Sequence, residues 1–217
     1  MILNIYKSRG MTSFSVVRSI RYITKEKKVG HAGTLDPFAE GVLIIGTGKD
    51  TKKLTAITND TKTYIASIKL GVLTNTLDTE GEIIKEKEIP KIDSQRIKRI
   101  LNSFLGDSMQ EPPMFSAKKI DGKKLYELAR KNIIVKRNPV KITIDAIELL
   151  DYNNSHITFS VTVSKGTYIR VLGKNIAEKL GTVGHLDYLI RTRVGSFLVD
   201  DSITIDNIKA LWKSFAH

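Results

Sequence analysis

Cysteine is absent from the 217-residue sequence, and this absence excludes several classes of site at once. Disulfide frameworks, cysteine-ligated zinc and thiolate catalysis all need the sulfur atom that the chain lacks. Histidine is scarce as well, and the four that occur (His31, His156, His185 and His217) show none of the four-residue spacing typical of metal ligands. The sequence therefore predicts no protein-held metal, and it is compatible with a reducing cytoplasm.

Long apolar runs are also missing. None approaches the roughly 20 residues that a membrane-spanning helix needs. Residues 1–7 are too few and too polar for a secretory signal peptide. These two features predict a soluble, cytoplasmic protein that is not bound to a membrane.

Negative charge is in short supply, because 35 lysines and arginines face only 23 aspartates and glutamates. The net charge of +12 predicts an anionic partner, with nucleic acid as the first candidate. A basic surface that is simply solvated is the alternative. Hydrophobic residues make up 41% of the chain, which is typical of a folded protein with a sizeable core.

Alternation and helical spacing predict a mixture of short strands and irregularly interspersed helices. A helix capped by Thr12 or Ser13 is expected, with its apolar positions Phe14, Val17, Ile20 and Ile23 at helical spacing and turned inward. Strands are predicted at residues 2–6, 64–70, 82–86, 140–146, 157–163 and 194–199, the second and third forming a hairpin. Further helices are predicted from residue 93 or 94 to Gly106, after a cap at Thr167, at residues 185–190 and at residues 204–215. This order predicts an α+β fold with a largely antiparallel mixed central sheet flanked by helices, in one domain spanning residues 1–217.

Residues 110–137 differ in composition from the rest of the chain. They hold eight basic residues against three acidic ones and few apolar anchors apart from a short amphipathic segment around Leu125. We interpret this segment as a mobile basic excursion from the core.

The stretch from Gly30 to Leu43 concentrates glycines, a histidine, a hydroxyl and two carboxylates ahead of an apolar run. Pro37 biases Asp36 toward extended backbone, and Gly33 permits a left-handed conformation. Asp36 is therefore a candidate nucleophile or general base at the end of a strand. The alternative is that Asp36 caps a helix that begins at Pro37.

Two further residues point to chemistry. Arg170 is predicted in the first turn of a helix, where the dipole disfavours a cation, so a carboxylate or phosphate partner is expected. Pairing with Asp36 would keep that carboxylate ionised, whereas the alternative is an arginine extending to solvent. Tyr64 begins an alternating strand, where it is either a packing residue or a platform on which a base stacks.

Taken together, three motifs resemble one family. They are Gly30-His31-Ala32-Gly33-Thr34-Leu35-Asp36-Pro37, Lys62-Thr63-Tyr64 and Ser164-Lys165-Gly166-Thr167-Tyr168-Ile169-Arg170. In this order and spacing, and with further matches across nearly the whole chain, the sequence resembles the TruB family of bacterial tRNA pseudouridine-55 synthases.

The resemblance implies that Asp36 is the catalytic aspartate, that Tyr64 stacks on the target uracil and that Arg170 pairs with Asp36. It implies that His31 helps to hold the extruded uridine, that Leu189 walls the pocket and that Tyr168 supports the site. Basic RNA contacts are expected at Lys7, Lys118, Lys119, Lys123 and Lys124. Residues 110–137 correspond to the family's mobile thumb. Ser8 replaces the family's usual proline, which affects the expected shape of that loop alone.

The implied reaction isomerises a uridine in the T-loop of tRNA, at position 55. The target base is flipped out, the N1–ribose bond breaks, and the base is reattached through C5. No atoms are gained or lost, so no cofactor is expected. The sequence does not choose among attack on the sugar, attack on the base and removal of a sugar proton.

We expect a monomer without an obligatory protein partner and without the C-terminal PUA domain of many relatives. RNA affinity should then depend on the catalytic domain and be more salt-sensitive than in longer relatives. The alternative function is a non-catalytic tRNA-binding or RNA-chaperone domain. A third possibility is the catalytic subunit of a guide-RNA-directed synthase, against which the short chain argues.

Overall fold

The computed structural model describes residues 1–120 and 122–215, so that Asp121 of the basic excursion and His217 lie outside the described residues. The helices of this part are α1 (Ser13–Thr24), α2 (Leu54–Asn59), α3 (Ser94–Asn102), α4 (Leu125–Ala129), α5 (Ile169–Lys179) and α6 (Ile205–Phe215), with a 3-10 helix at Gly48–Lys53. None of the helices in the described part is long and apolar enough to cross a membrane.

The strands of the same residues are β1 (Ile2–Lys7), β2 (Val29–Ala32), β3 (Glu40–Thr47), β4 (Lys62–Leu70), β5 (Val72–Thr74), β6 (Ile83–Glu86), β7 (Gly106–Gln110), β8 (Lys119–Ile120), β9 (Lys123–Lys124), β10 (Val140–Tyr152), β11 (His156–Val163), β12 (Gly184–Val194) and β13 (Phe197–Leu198). Within residues 1–120 and 122–215 the largest sheet has nine strands, in the order β1-β3-β12-β4-β11-β10-β7, with β2 on β3 and β13 on β12. The β3–β12 pair is parallel, whereas β1–β3 and β10–β11 are antiparallel. The predicted α+β class with a mixed sheet and flanking helices is confirmed.

The chain divides into two compact units, of which the first comprises residues 1–64 and 189–217. Its central strand is β3, which is buried along almost its whole length. Leu43 and Ile45 pack into one apolar cluster with α1, while Val42 and Ile44 pack into a second cluster on the opposite face. An apolar run buried on both faces is typical of an inner strand, and it gives the loop that precedes β3 a rigid support.

The second unit comprises residues 65–188. In it, β10 pairs with β11 on one side and with β7 on the other, all antiparallel. Alternate residues of β11 are buried, with Phe159 fully enclosed, as the alternation predicts. Helix α3 begins at an Asp93 cap that accepts from the Arg96 backbone N–H, and helix α5 buries Leu172 and Ile176.

Three predicted elements are wrong in kind or pairing. Residues 185–190, predicted as a helix, lie in β12, because pairing with its neighbours β3 and β4 decides the conformation of a short apolar run whose spacing suits either element. Strand β6 pairs with β5, not with β4, after the chain turns at Gly71, whose φ is +86°. The strand predicted at residues 194–199 is a short return of β13 onto β12 around Gly195.

Three predicted helix details are wrong as well. The Thr12 cap of α1 is confirmed by its bond from the Ser15 backbone N–H, but Phe14, predicted to face inward, is exposed. Thr167 does not cap α5, because its hydroxyl donates to the Ser164 carbonyl and the helix begins at Ile169 after a Tyr168 cap residue. Helix α3 ends at Asn102, before the predicted Gly106.

Candidate active site

Asp36 lies in a tight turn between β2 and β3 in the first unit. The Ala39 backbone N–H donates to the Asp36 carbonyl at 3.2 Å, and the chain enters β3 at Glu40. No helix begins at Pro37, so the interpretation of Asp36 as a helix cap is wrong. The turn instead presents an aspartate directly ahead of a strand that is buried on both faces.

A buried arginine bonds the backbone ahead of this turn and the strand that follows it. Arg191 of β12 is 1% exposed. Its Nε donates to the Val42 carbonyl at 2.7 Å, and its Nη2 donates to the Gly33 carbonyl at 3.1 Å. Nη1 lies 3.5 Å from the Thr34 carbonyl. One planar guanidinium therefore joins the start of β3 to the backbone two and three residues before Asp36.

Gly41 permits this arrangement. It pairs with Arg191 across the parallel β3–β12 register, and its φ is +102°. A Cβ atom at this position would lie 2.3 Å from the Arg191 carbonyl oxygen. Only glycine allows the two strands to approach this closely.

Lys7 and Ser13 hold the turn from the other side. Lys7 is fully buried, and its ammonium donates to the carbonyls of Ala39 at 2.5 Å and Met11 at 2.8 Å, and to two further backbone carbonyls. The Ser13 hydroxyl both accepts from the Leu35 N–H and donates to the Leu35 carbonyl, each at 2.9 Å. Lys7 is predicted from the resemblance as an RNA contact, but its ammonium is enclosed and holds loop backbone instead.

His31 lies in β2, five residues before Asp36. Its Nδ1 atom is buried without a hydrogen-bond partner. Burial lowers the pKa of His31, and the nearby Arg191 guanidinium lowers it further. The imidazole is therefore neutral at physiological pH, with an unused polar atom.

Tyr64 and Leu189 belong to the same first unit as Asp36. Tyr64 in β4 is 8% exposed and Leu189 in β12 is 4% exposed. Their stacking and walling roles remain predictions from the resemblance.

Arg170 is the buried cation of the second unit. As predicted, it lies in the first turn of a helix, α5, and it is 3% exposed. Its Nη1 lies 3.3 Å from Asp78 Oδ2 and 2.6 Å from the Thr76 carbonyl, while Nη2 donates to the Phe115 carbonyl at 2.8 Å. The alternative of an arginine extending to solvent is wrong, because burial and these partners offset the unfavourable dipole.

Asp78 is a site residue that sequence reasoning missed. Its carboxylate accepts from the Thr76 hydroxyl at 2.5 Å and from the Glu80 backbone N–H at 3.0 Å, besides facing Arg170. The sequence Asp-Thr-Glu-Gly at residues 78–81 predicts only a turn. A first-turn arginine did signal the need for an acid, but the signal did not identify Asp78.

Tyr168 is fixed by a reciprocal pair of hydrogen bonds. Its backbone N–H donates to Gln110 Oε1 at 2.8 Å, and Gln110 Nε2 donates to its carbonyl at 3.2 Å. Gln110 is 5% exposed, and it opens the predicted thumb. Gln110, the first residue of that segment, is therefore bonded directly to the cap residue of α5.

Three of the four predicted RNA-contact lysines of residues 110–137 lie on a small hairpin. Lys119 pairs with Lys124 across β8 and β9, and Lys119 and Lys123 are exposed. Lys124 Nζ bonds the Tyr126 hydroxyl at 3.1 Å, which raises the pKa of the lysine. Lys118 precedes the hairpin and is half-buried. The hairpin presents cations, and their contact with RNA stays a prediction.

The structure thus groups the predicted site residues by unit. Asp36, His31, Tyr64 and Leu189 belong to the first unit, and Arg170 and Tyr168 belong to the second. The pairing of Asp36 with Arg170 stays a prediction. Among the described residues, no three His, Asp or Glu side chains cluster as metal ligands would.

A family model for TruB family pseudouridylate synthases (N-terminal domain) matches residues 21–169, which is more than half of the chain. The matched span includes the Asp36 turn, Tyr64 and the thumb. The chain belongs to the TruB family of pseudouridylate synthases. Members of this family are enzymes, and the predicted resemblance is confirmed.

Individual TruB relatives align over almost all of the chain. A tRNA pseudouridine synthase B of Clostridium tetani is 47% identical over 95% of this chain and 72% of its own length. One of Caldanaerobacter subterraneus is 44% identical over 96% of this chain and 73% of its own length.

Among solved structures, the chain is similar to one in a Cbf5-Nop10-Gar1 complex, with a TM-score of 0.78 and 29% identity. All of this chain is covered, but it spans only 56% of that longer chain. The likeness supports the TruB assignment at the level of the fold.

Proposed function

We propose that this chain is a tRNA pseudouridine synthase that isomerises the uridine at position 55 in the T-loop, with Asp36 as its catalytic carboxylate. The curated relatives named above are tRNA pseudouridine synthase B enzymes, and they align over almost the whole chain. The single observation that carries the assignment of Asp36 is the loop of residues 33–39, whose backbone is bonded from both sides by buried side chains.

This rigidity matters for the chemistry. A carboxylate that acts on a flipped nucleotide must be held in a near-attack position, and small displacements cost rate steeply. Arg191 bonds the carbonyls before Asp36, and Lys7 bonds carbonyls after it. The loop is therefore preorganised by the protein before any RNA binds.

The reaction breaks the N1–C1′ bond and forms the C5–C1′ bond. The proton on C5 leaves after reattachment, and N1 takes up a proton, so atoms and charge balance. Asp36 is needed in its ionised form, whether it attacks the sugar, attacks the base or removes a sugar proton. Tyr64 is proposed to stack on the uracil, which returns part of the free energy that base flipping costs.

Arg170 is proposed to stabilise the charge of Asp36 in addition to that of Asp78. A buried guanidinium can serve more than one acceptor, because it presents five N–H donors. His31 is proposed to meet the extruded uridine with its unbonded Nδ1, and Leu189 to wall the base. Tyr168, held by Gln110, is the cap residue of α5 and is proposed to support Arg170, two residues further on.

We further propose that both units act as one catalytic domain on the T-arm of cytoplasmic tRNA, with residues 110–137 as the thumb. Lys118, Lys119, Lys123 and Lys124 would contact the phosphate backbone. The enzyme is proposed to work as a monomer without an obligatory protein partner.

The test uses a T-arm stem-loop whose target uridine carries tritium at C5. Each turnover releases that tritium to water as the new carbon–carbon bond displaces the proton. The wild-type chain is expected to release it with multiple turnovers. Asp36→Asn keeps the volume and polarity of the side chain and is expected to reduce the rate by at least about a thousandfold, with stem-loop binding retained.

Two controls make the test decisive. A stem-loop that carries the label at another uridine should release no tritium, which checks the target position. Asp201→Asn changes an exposed aspartate of the same unit and should leave the rate unaltered. Turnover by Asp36→Asn at the wild-type rate would overturn the assignment, and absence of turnover in the wild type would favour a non-catalytic RNA-binding role.

A further inference from the structure

Helix α1 exposes two large aromatic side chains that its hydrophobic pattern does not require. Phe14 is 59% exposed and Tyr22 is 72% exposed, whereas Val16, Val17 and Ile20 fill the core. Singly exposed apolar side chains are common on protein surfaces, so the significance of these two rings depends on what lies around them.

A cationic side chain lies near each of these rings. The Arg18 guanidinium lies 5.6 Å from the centre of the Phe14 ring, and Lys25 Nζ lies 4.3 Å from the centre of the Tyr22 ring. Positions 14, 18 and 22 are four residues apart, so they follow one another along a single face of the helix. Arg21 is exposed beside them, and α1 contains no aspartate or glutamate. We call Phe14, Arg18, Arg21, Tyr22 and Lys25 the basic–aromatic face.

This face starts beside the candidate catalytic loop. Ser13, next to Phe14, makes both of the hydrogen bonds that join α1 to Leu35, the neighbour of Asp36. From Phe14 to Tyr22 the helix rises about 12 Å, at about 1.5 Å per residue. The face therefore extends away from the Asp36 loop as a strip on the surface of the first unit.

We propose that the basic–aromatic face of α1 is a second RNA-binding surface, on which an unpaired base of the substrate RNA stacks while adjacent cations bind its phosphates. The proposal rests on the proposed function, because it takes the RNA to be the molecule whose uridine reaches Asp36. Aromatic rings interleaved with arginine and lysine match the two chemical features of RNA, its flat bases and its polyanionic backbone.

The chemistry favours RNA over a protein partner. A protein-binding face of this size would be expected to centre on aliphatic anchors, with charged residues depleted from its core. Here two of the cations lie beside the rings themselves, and the five side chains carry three positive charges without a compensating acid on the helix. Such a face repels most basic surfaces and attracts phosphate.

The test measures binding of an unmodified tRNA transcript by fluorescence anisotropy over a series of salt concentrations. Phe14→Ala and Tyr22→Ala are each expected to weaken binding about tenfold, the loss of one stacked base. Tyr22→Phe keeps the ring and should retain wild-type affinity. Arg18→Gln should lower the slope of log affinity against log salt by about one, because one phosphate contact is lost, whereas Phe14→Ala should leave that slope unchanged.

Tyr152→Ala is the matched control, because Tyr152 is an exposed tyrosine that does not belong to the basic–aromatic face. Its tRNA affinity should equal that of the wild type. Thermal unfolding of every variant checks that the exposed substitutions leave the fold intact. Unaltered tRNA affinity in both alanine variants overturns the proposal, and it is also the result expected if the face binds a protein.

The outcome is separable from that of the proposed function. Tritium release by the wild type combined with unaltered tRNA binding by both alanine variants would overturn the face alone. Absence of tritium release combined with weakened binding by those variants would overturn the synthase activity and leave the RNA-binding face standing.

Discussion

Arg191 and Lys7 are two cations that the fold buries completely, and both direct their N–H groups to backbone carbonyls around the Asp36 turn. Removing a cation from water costs several kcal/mol unless its donors are satisfied. The carbonyls offset this cost, and in exchange the loop backbone loses its freedom to move. The backbone is therefore held rigidly around Asp36, the residue proposed to react.

Arg191→Lys tests this function of the guanidinium. Lysine keeps the positive charge, but it cannot span the carbonyls of Val42 and Gly33 with one planar group. We expect turnover to fall about tenfold to a hundredfold as Asp36 loses its alignment, with little change in the KM for RNA. Single-turnover tritium release at saturating enzyme measures the effect.

The matched control is Arg193→Lys, two residues along β12, where the side chain is exposed. It should retain the wild-type rate. Equal rates for Arg191→Lys and the wild type would show that the loop does not depend on the guanidinium fork.

His31, near the same loop, is expected to make the free energy of unfolding depend on pH. Burial, and then Arg191, lower its pKa below the ordinary value of 6.5, so the unfolded chain binds this proton more readily than the folded one. Stability should therefore fall as the pH drops below the ordinary histidine value, until the folded pKa is passed. Urea unfolding at about pH 7.5 and about pH 5.5 measures the change.

His31→Gln removes the titrating group, and its loss of stability over the same interval should be smaller than that of the wild type. His156→Gln is a comparison at a half-exposed histidine of the second unit. An identical pH dependence in the wild type and His31→Gln would contradict the prediction.

At the scale of elements, the start of α5 and the root of the thumb are joined by hydrogen bonds. Gln110 bonds both backbone groups of Tyr168, and Arg170 donates to the Phe115 carbonyl. The cap residue of α5 has no side-chain cap of its own. Gln110 therefore bonds the N–H of the cap residue, the group that a glutamate or glutamine three residues further on bonds in a capping box.

Gln110→Leu keeps the size of the side chain and removes both bonds. We expect a loss of about 1–3 kcal/mol in the free energy of unfolding, because the Tyr168 N–H loses its partner, whereas the Tyr168 carbonyl keeps the bond from the Leu172 N–H. Turnover should also fall, since the position of Arg170 depends on this end of α5. Urea unfolding and single-turnover tritium release measure the two effects.

Gln95→Leu is the control, at an exposed glutamine on α3. Its stability and rate should match those of the wild type. Wild-type stability in Gln110→Leu would mean that water replaces the lost bonds.

At the scale of the whole molecule, the net charge of +12 makes RNA affinity a function of salt. Each phosphate neutralised by lysine or arginine releases counterions, so affinity falls as salt rises. We expect the affinity for a T-arm stem-loop to fall about tenfold or more between about 50 and about 200 mM salt. Anisotropy titrations measure the slope, and an affinity that hardly changed would contradict an electrostatic interface.

Much of the fold was predictable because its signals are local. The Thr12 cap, the alternation of β11 and the first-turn position of Arg170 depend on nearby residues, and all are confirmed. The prediction for residues 185–190 was wrong because their apolar spacing suits a helix and a strand equally, and only pairing with the neighbouring strands β3 and β4 decides between them. Asp78 was missed because nothing in a turn sequence indicates which arginine it will face.

Residue types and short spacings are enough to establish the family, the α+β class, the basic character and the carboxylate proposed to react, because each of these depends on local information. Tertiary structure decided that Lys7 and Arg191 hold the Asp36 loop, that Asp78 faces Arg170 and that Phe14 is exposed. These contacts join residues far apart along the chain, or depend on which face of a helix meets the core. The packing of the whole unit sets these long-range contacts and the orientation of each helix face, and no local pattern determines them.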